Sequence, residues 1–293
     1  MFGLMGVARM SGRSGAVAFS PLSLFAASEQ GVWYDPSDFS SMFQGIYSSV
    51  PVTAVTQPVG LILDKRLGLA LGSEKFGSPF DYAGTASVVV AGDLITVTCT
   101  SSGTYGVTAS THLVVGGTAY RIGFELVTNT ASRSVAVYPN LAGDAASVVT
   151  PGTYSLTQYA LTASGSSANT TFIVFGGVAG ESFSLRAVSV KPIAGNHAVQ
   201  ATAAARPVVS APHYLTFDGI DDLLATTFPD LGTDVTIARA VPGVGASILT
   251  GQTIGAGTWT DSTNHAGLVI IDRALTAGET AALTAYLDAK AGV

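Results

Sequence analysis

One cysteine, four lysines and a charged fraction of 11% are what stand out as scarce in this 293-residue chain. The single thiol, Cys99, excludes an internal disulfide and a cysteine-built zinc site. Thirteen basic against 19 acidic side chains leave a net charge of −6 and a pI near 5.0. Nucleic acid and anionic membrane are thereby excluded as main partners, because both need clustered Lys and Arg, and Lys65, Lys75, Lys191 and Lys290 are scattered. Soluble domains commonly carry charge on about 25% of their residues. So thinly charged a surface is either covered by partners in an assembly or solvated by the hydroxyls and amides of a Ser/Thr-rich β protein.

Long hydrophobic runs are missing too. A mean hydropathy of +0.45 invites a membrane reading, but the uncharged stretches 39–63 and 145–180 are broken by Pro, Gly, Ser and Thr, so no spanning helix is encoded. At the N-terminus, Arg9 and Arg13 precede an apolar, small-residue stretch over 15–28 that imitates a secretion signal. Residues 1–30 read instead as an arm that docks onto neighbours.

What is present is period-two alternation. Tyr120, Ile122, Phe124 and Leu126 alternate with Arg121, Gly123 and Glu125, which predicts a half-buried strand. Ile95, Val97 and Cys99 share one face of another, making the thiol a buried structural group. The signal returns at Val135/Val137, Tyr154/Leu156, Phe172/Val174 and Phe183/Leu185, separated by Gly116-Gly117, Ala142-Gly143-Asp144, Pro151-Gly152, Ser164-Gly-Ser-Ser167 and Gly176-Gly177. Short strands with regular Gly/Ser turns predict an antiparallel sandwich. A phase shift between Ala187 and Val188 predicts a bulge. At the C-terminus, Leu268-Val-Ile-Ile271 reads as a buried strand, and Thr276 with Glu279 as a capping box. The helix that follows has Leu283, Tyr286 and Leu287 on one face, Lys290 in its last turn and Gly292 as its stop.

Polar clusters offer little chemistry. Asp218, Asp221 and Asp222 have the composition of a calcium loop and equally that of a Gly-Ile-Asp-Asp turn, which is the favoured reading. Asp35 and Asp38 flank Pro36 and read as turn and capping groups. The five glutamates, Glu29, Glu74, Glu125, Glu181 and Glu279, lack the paired spacing that glycan hydrolysis requires. His112, His197, His213 and His265 have no carboxylate or Cys at metal-ligand spacing, and Gly243-Val-Gly245 and Gly255-Ala-Gly257 read as turns. No catalytic residue, cofactor or metal site is therefore expected.

The segment Gly31-Val-Trp-Tyr-Asp-Pro-Ser-Asp-Phe-Ser-Ser-Met-Phe-Gln44, followed by Pro51-Val-Thr-Ala-Val55 and Gln57-Pro-Val-Gly-Leu-Ile-Leu-Asp-Lys65, resembles the opening of lectin-like domains in tailed-phage and prophage virion proteins. In that family a Gly-Asn-His-Ala segment, an Ala-Arg-Pro segment and a Phe-Asp-Gly-x-Asp-Asp strand follow closely. Here they come much later, as Gly195-Asn-His-Ala198, Ala205-Arg-Pro207 and Phe217-Asp-Gly-Ile-Asp-Asp222. The resemblance thus implies an insertion. The inserted part is similar to a carbohydrate-binding-module jelly roll, with Ala187-Val-Ser-Val-Lys-Pro192 matching its closing strand, although Lys75-Phe-Gly-Ser-Pro-Phe80 replaces the Asn-rich opening. The ending from Gly267 resembles the last strand and helix of laminin-G or concanavalin A-like sandwiches, but only about 45 residues separate it from Asp222, so that sandwich is abbreviated.

These readings together predict an all-β protein of two antiparallel β-sandwiches with one C-terminal α-helix. Residues 31–66 and 194–293 would form the discontinuous lectin-like sandwich, 67–193 the inserted jelly roll, and 1–30 the docking arm. The resemblance implies a non-enzymatic structural protein of a tailed-phage virion, assembled in the host cytoplasm: a tail-fibre, tail-tip or baseplate appendage, with a capsid decoration protein or a carbohydrate-binding adhesin as alternatives. Its implied partners are other virion proteins, copies of itself and host surface polysaccharide. Sugars are commonly held on exposed aromatic rings, for which Tyr105, Tyr138, Tyr159 and Trp259 are the candidates, while Trp33 is assigned to packing.

Overall fold

The computed structural model describes residues 19–46, 50–109, 114–130, 133–138, 146–160 and 170–293. Residues 1–18 of the expected arm, His112 and the turns expected at 142–144 and 164–167 lie outside them. The protein is all-β apart from short 3-10 turns and one C-terminal helix, Ala277–Ala291. No helix among the described residues is long and apolar enough to cross a membrane.

Strands from both ends of the chain build the first sandwich. One sheet runs in the order Gly31–Tyr34, Leu268–Ile271, Gly232–Val241, Gly245–Ile254, and the facing sheet in the order Met42–Phe43, Leu61–Ile62, Ala198–Val199, Leu224–Phe228, Gly257–Asp261. Val32, Leu268, Ile270 and Ile237 meet Met42, Ile62, Leu224 and Phe228 between them. The outer face of the first sheet is covered as well. Trp33, Val269, Ile271, Ala238 and Ala240 pack under Leu283 and Leu287 of the helix and under Leu24 and Phe25 of the 3-10 turn Pro21–Phe25. That double cover is why Leu268–Ile271 is apolar at every position. It also means that, from Phe19 onward, the expected arm is part of the packed structure.

Both helix ends are secured as its sequence predicts. The Thr276 hydroxyl accepts the Glu279 amide, and the Glu279 carboxylate accepts the Thr276 amide. Arg273, 2.7 Å away, and that amide hold Glu279 down at about 2. Thr276→Ala removes the cap and is expected to cost about 1 kcal/mol. The shift would be read in urea from the emission of Trp33, which lies under the helix, and an unchanged midpoint would refute it.

The second sandwich is built from strands between Phe80 and Pro192. One sheet runs Ala146–Val148, Val135–Tyr138, Thr171–Gly177, Gly103–Ala109, Phe80–Gly84, and the other Gly152–Ala160, Thr118–Asn129, Ser182–Pro192, Leu94–Cys99, Ala86–Ala91. Ile95, Val97 and Cys99 face inward, as do Tyr120, Ile122, Phe124 and Leu126, and they enclose Phe172 and Phe183. The predicted bulge is present: pairing slips between Arg186 and Ser189, with Ala187 at φ +51°.

The chain enters and leaves this sandwich side by side. Gly72 N–H bonds the Pro192 carbonyl at 2.9 Å, Ala194 N–H bonds that of Ala70 at 2.9 Å, and Leu71 bridges to Ile193. A small apolar seam joins the two sandwiches, with Phe43, Ile46, Leu61 and Leu63 on one side and Ala119, Tyr159 and Ile193 on the other.

Candidate functional site

The four aromatic candidates are not brought together. Tyr105 is fully buried, its ring 5.8 Å from that of Phe183 in the opposing sheet. Tyr159 is buried in the seam between the sandwiches, and its amide bonds the Ile46 carbonyl at 2.8 Å. Neither ring has a free face for a sugar, which corrects the expectation for both. Trp259, half-buried on the first sandwich, packs on Phe228 and carries the Arg239 guanidinium 5.7 Å above its ring. Tyr138, half-buried on the second sandwich, remains as a partial platform.

Tyr138 has a neighbour that alternation concealed. Phe172 and Val174 point into the core, so Thr171, Ile173 and Phe175 lie on the opposite face, where Thr171 and Ile173 are themselves buried and Phe175 is exposed. Tyr138 pairs with Thr171 and shares that face. The Phe175 ring is 54% exposed and meets Tyr138 edge-on at 6.5 Å and 85°. Thr171 Oγ1 donates to Thr108 Oγ1 at 3.1 Å on the adjoining strand, and Gly106 beside it presents no side chain. Arg133 and Glu181, paired at 3.5 Å, flank the end of the strip near Gly176. The exposed Phe175 ring and half-buried Tyr138, beside the partly exposed Arg133–Glu181 pair, make a surface suited to pyranose stacking. The signal for Phe175 was its position: out of phase with Phe172 and Val174, immediately before Gly176-Gly177, where the pairing slips.

The second constellation is a buried carboxylate hub in the first sandwich. Asp64 Oδ1 accepts the amides of Trp33 at 3.0 Å and Arg66 at 2.9 Å, while Oδ2 accepts the Asn196 amide at 2.9 Å and Arg66 Nε–H at 3.0 Å. His197 Nδ1 accepts the Asp64 amide at 3.0 Å, which assigns the ring proton to Nε2, 3.0 Å from the Ile193 carbonyl. Tyr34 donates to the Asn196 carbonyl at 2.6 Å, and the Asn196 side chain donates to the Gly31 carbonyl at 3.0 Å. Gly195 sits at φ +135°, where a Cβ would fall 2.9 Å from Asp64, so no other residue fits. Burial pushes the Asp64 carboxyl up to about 6 and the His197 imidazole down to about 4. Both Asp64 oxygens and both His197 ring nitrogens are engaged within the protein, so the hub's work is to lock strands together.

Around this hub the remaining acids also serve structure. Lys65 reaches Asp35 at 3.1 Å and Asp38 at 2.7 Å, and Lys290 of the helix reaches Asp35 at 2.7 Å. Asp38 caps the 3-10 turn Phe39–Ser41, the predicted role. Asp218 Oδ1 accepts the amides of Ile220, Asp221 and Asp222 at 2.9, 3.2 and 3.2 Å, and Asp222 Oδ2 accepts that of Asp218 at 3.0 Å. Those backbone donors hold the Asp218 carboxyl below its ordinary value. The cluster is thus accounted for as a turn.

Compared with known proteins, the sequence matches no protein-family model and no curated protein.

Proposed function

We propose that this chain is a structural, non-enzymatic protein of a tailed-phage virion, an appendage of the tail fibre, tail tip or baseplate whose second sandwich touches host surface glycan. The observation that carries the reading is the hub. The segments bearing the family resemblance, separated by more than a hundred residues, meet at Asp64: Gly31, Trp33 and Tyr34 from the opening, and Gly195, Asn196 and His197 from the later segment. Residues from both segments that carry the resemblance thus meet in one buried cluster.

The five glutamates support a non-catalytic role. Glu29 and Glu279 bind Arg273, Glu125 binds Arg186 and Glu181 binds Arg133, while Glu74 accepts the amides of Lys75, Phe76 and Val190. Glycan contact rests on the Tyr138–Phe175 strip. Phe175→Ala is expected to weaken retention of the protein on host polysaccharide about tenfold, equivalent to roughly 1.4 kcal/mol. Trp259→Phe, in the other sandwich, leaves retention unchanged. Equal retention of wild type and Phe175→Ala would remove the glycan contact. Quantitative mass spectrometry of purified particles tests the larger reading. A few copies per particle are expected, a count matching the capsid lattice would make the chain a decoration protein, and absence from particles would overturn the virion assignment.

A further inference from the structure

One side of the second sandwich is open. Both sheets end there on a strand with no outer neighbour among the described residues, Phe80–Gly84 in one and Ala86–Ala91 in the other. The two strands join at a corner where Gly84 takes φ +68° and a Cβ would lie 1.9 Å from the Thr104 carbonyl oxygen. The two-residue Gly92-Asp93 turn makes Ala91 and Leu94 the hydrogen-bonded closing pair of the hairpin with Leu94–Cys99. Thr100 N–H to the Thr85 carbonyl at 2.9 Å is in the same phase. Alternation then turns the N–H and C=O groups of Ala86, Val88 and Val90 away from the sheet.

This edge has none of the usual protection. Ala86–Ala91 carries no charge, proline or bulge, its Val89 and Val90 are 62% and 49% exposed, and Tyr82 on the other edge strand is 67% exposed. A mainly apolar recess of about 180 Å³, lined by Phe76, Phe80, Val90, Ile95 and Val188 with Asp93 at the Gly92-Asp93 turn, opens next to the strand. Two other edges are guarded. Gly245–Ile254 breaks register twice against its neighbour, and Gly152–Ala160 is covered where Tyr159 meets the first sandwich.

We propose that this open side is the two-fold interface between two copies of this chain, formed by antiparallel pairing of Ala86–Ala91 with itself. An axis through Val88 sets Ala86 opposite Val90 and Val88 opposite its own counterpart. All the outward amide groups of the strand then find partners, and none of the paired residues is charged. A foreign peptide added to the edge would be read through a series of side-chain pockets, whereas this surface has one recess and one protruding Tyr82. A knob and a hole on the same patch are what an isologous contact requires. The inference is independent of the virion reading, because the purified chain alone tests it.

Light scattering with sedimentation on the full chain at micromolar concentration is expected to give about 59 kDa, twice the chain mass of 29.6 kDa. Val90→Pro removes one outward donor without touching the ladder to Leu94–Cys99, and Tyr82→Ser with Val89→Lys makes exposed apolar groups polar. Both variants should halve the mass while keeping the wild-type far-UV spectrum. Should Val90→Pro fail to fold, the double variant decides. Any wild-type mass other than the doubled one, or folded variants that keep it, would overturn the proposal.

Discussion

Asp64→Ala is expected to destabilise the first sandwich by about 3–5 kcal/mol, the cost of removing one partner of a buried ion pair. The carboxylate accepts four hydrogen bonds, and its removal leaves Arg66 Nε and the amides of Trp33, Arg66 and Asn196 without their acceptor, the Trp33 and Arg66 amides in buried positions. Asp64→Asn keeps the Oδ1 acceptor but turns amide hydrogens toward two donors, so its cost falls between wild type and alanine. The readout is local, because Trp33 and Trp259, the two tryptophans of the chain, both sit in this sandwich. Urea unfolding followed by their emission gives the number. A midpoint equivalent to less than about 1 kcal/mol of loss would show that the hub does not hold the fold.

Acid acts on the same hub through His197. In the folded protein the imidazole titrates at about 4 rather than 6.5, because burial penalises its cation. Its contribution is therefore complete above pH 6.5 and is lost as the pH falls toward 4, since the unfolded chain takes up the proton first. Asp64 works in the opposite sense. With its carboxyl pushed up from 3.8 to about 6, the folded protein takes up that proton first and gains stability as pH falls through the same window. Between pH 7 and 5 the His197 loss is about 2 kcal/mol and the Asp64 gain about 1 kcal/mol. Wild type should thus lose about 1 kcal/mol and Asp64→Asn about 2 kcal/mol. Asp35, Asp38 and Glu279, whose values are lowered, lose their contributions only below about pH 4.5 and leave this window clear. Identical pH dependence in wild type and Asp64→Asn would refute the assignment, and His197→Gln should abolish the loss.

The elements legible beforehand are those whose signal is local. The inward phase of Tyr120 through Leu126, the bulge at Ala187 and the Thr276–Glu279 cap depend on backbone periodicity and on side chains within a few residues of one another. The aromatic candidates were harder because alternation reports which residues share a face, not what lies against it. Tyr105 and Tyr138 both sit on strands of one sheet, yet one faces the Phe183 ring across the core and the other faces out beside Phe175. Tyr159 is buried by neither sheet of its own sandwich alone but by Phe43, Ile46, Leu61 and Leu63, which arrive from the other.

What the sequence determined by itself is the class: many short alternating strands, one capped helix, a thinly charged acidic chain, and a single thiol placed in the core. What only the tertiary structure decided is which polar and aromatic groups are spent on folding and which stay exposed. Asp64 and His197 lie 133 residues apart, and nothing local marks a carboxylate that will be buried against four donors. Burial and its desolvation cost are properties of the packed layers, set when distant strands meet. Phe175 on its open face and Ala86–Ala91 on its unpaired edge follow from the same physics, since exposure is what remains after every other strand has found a neighbour.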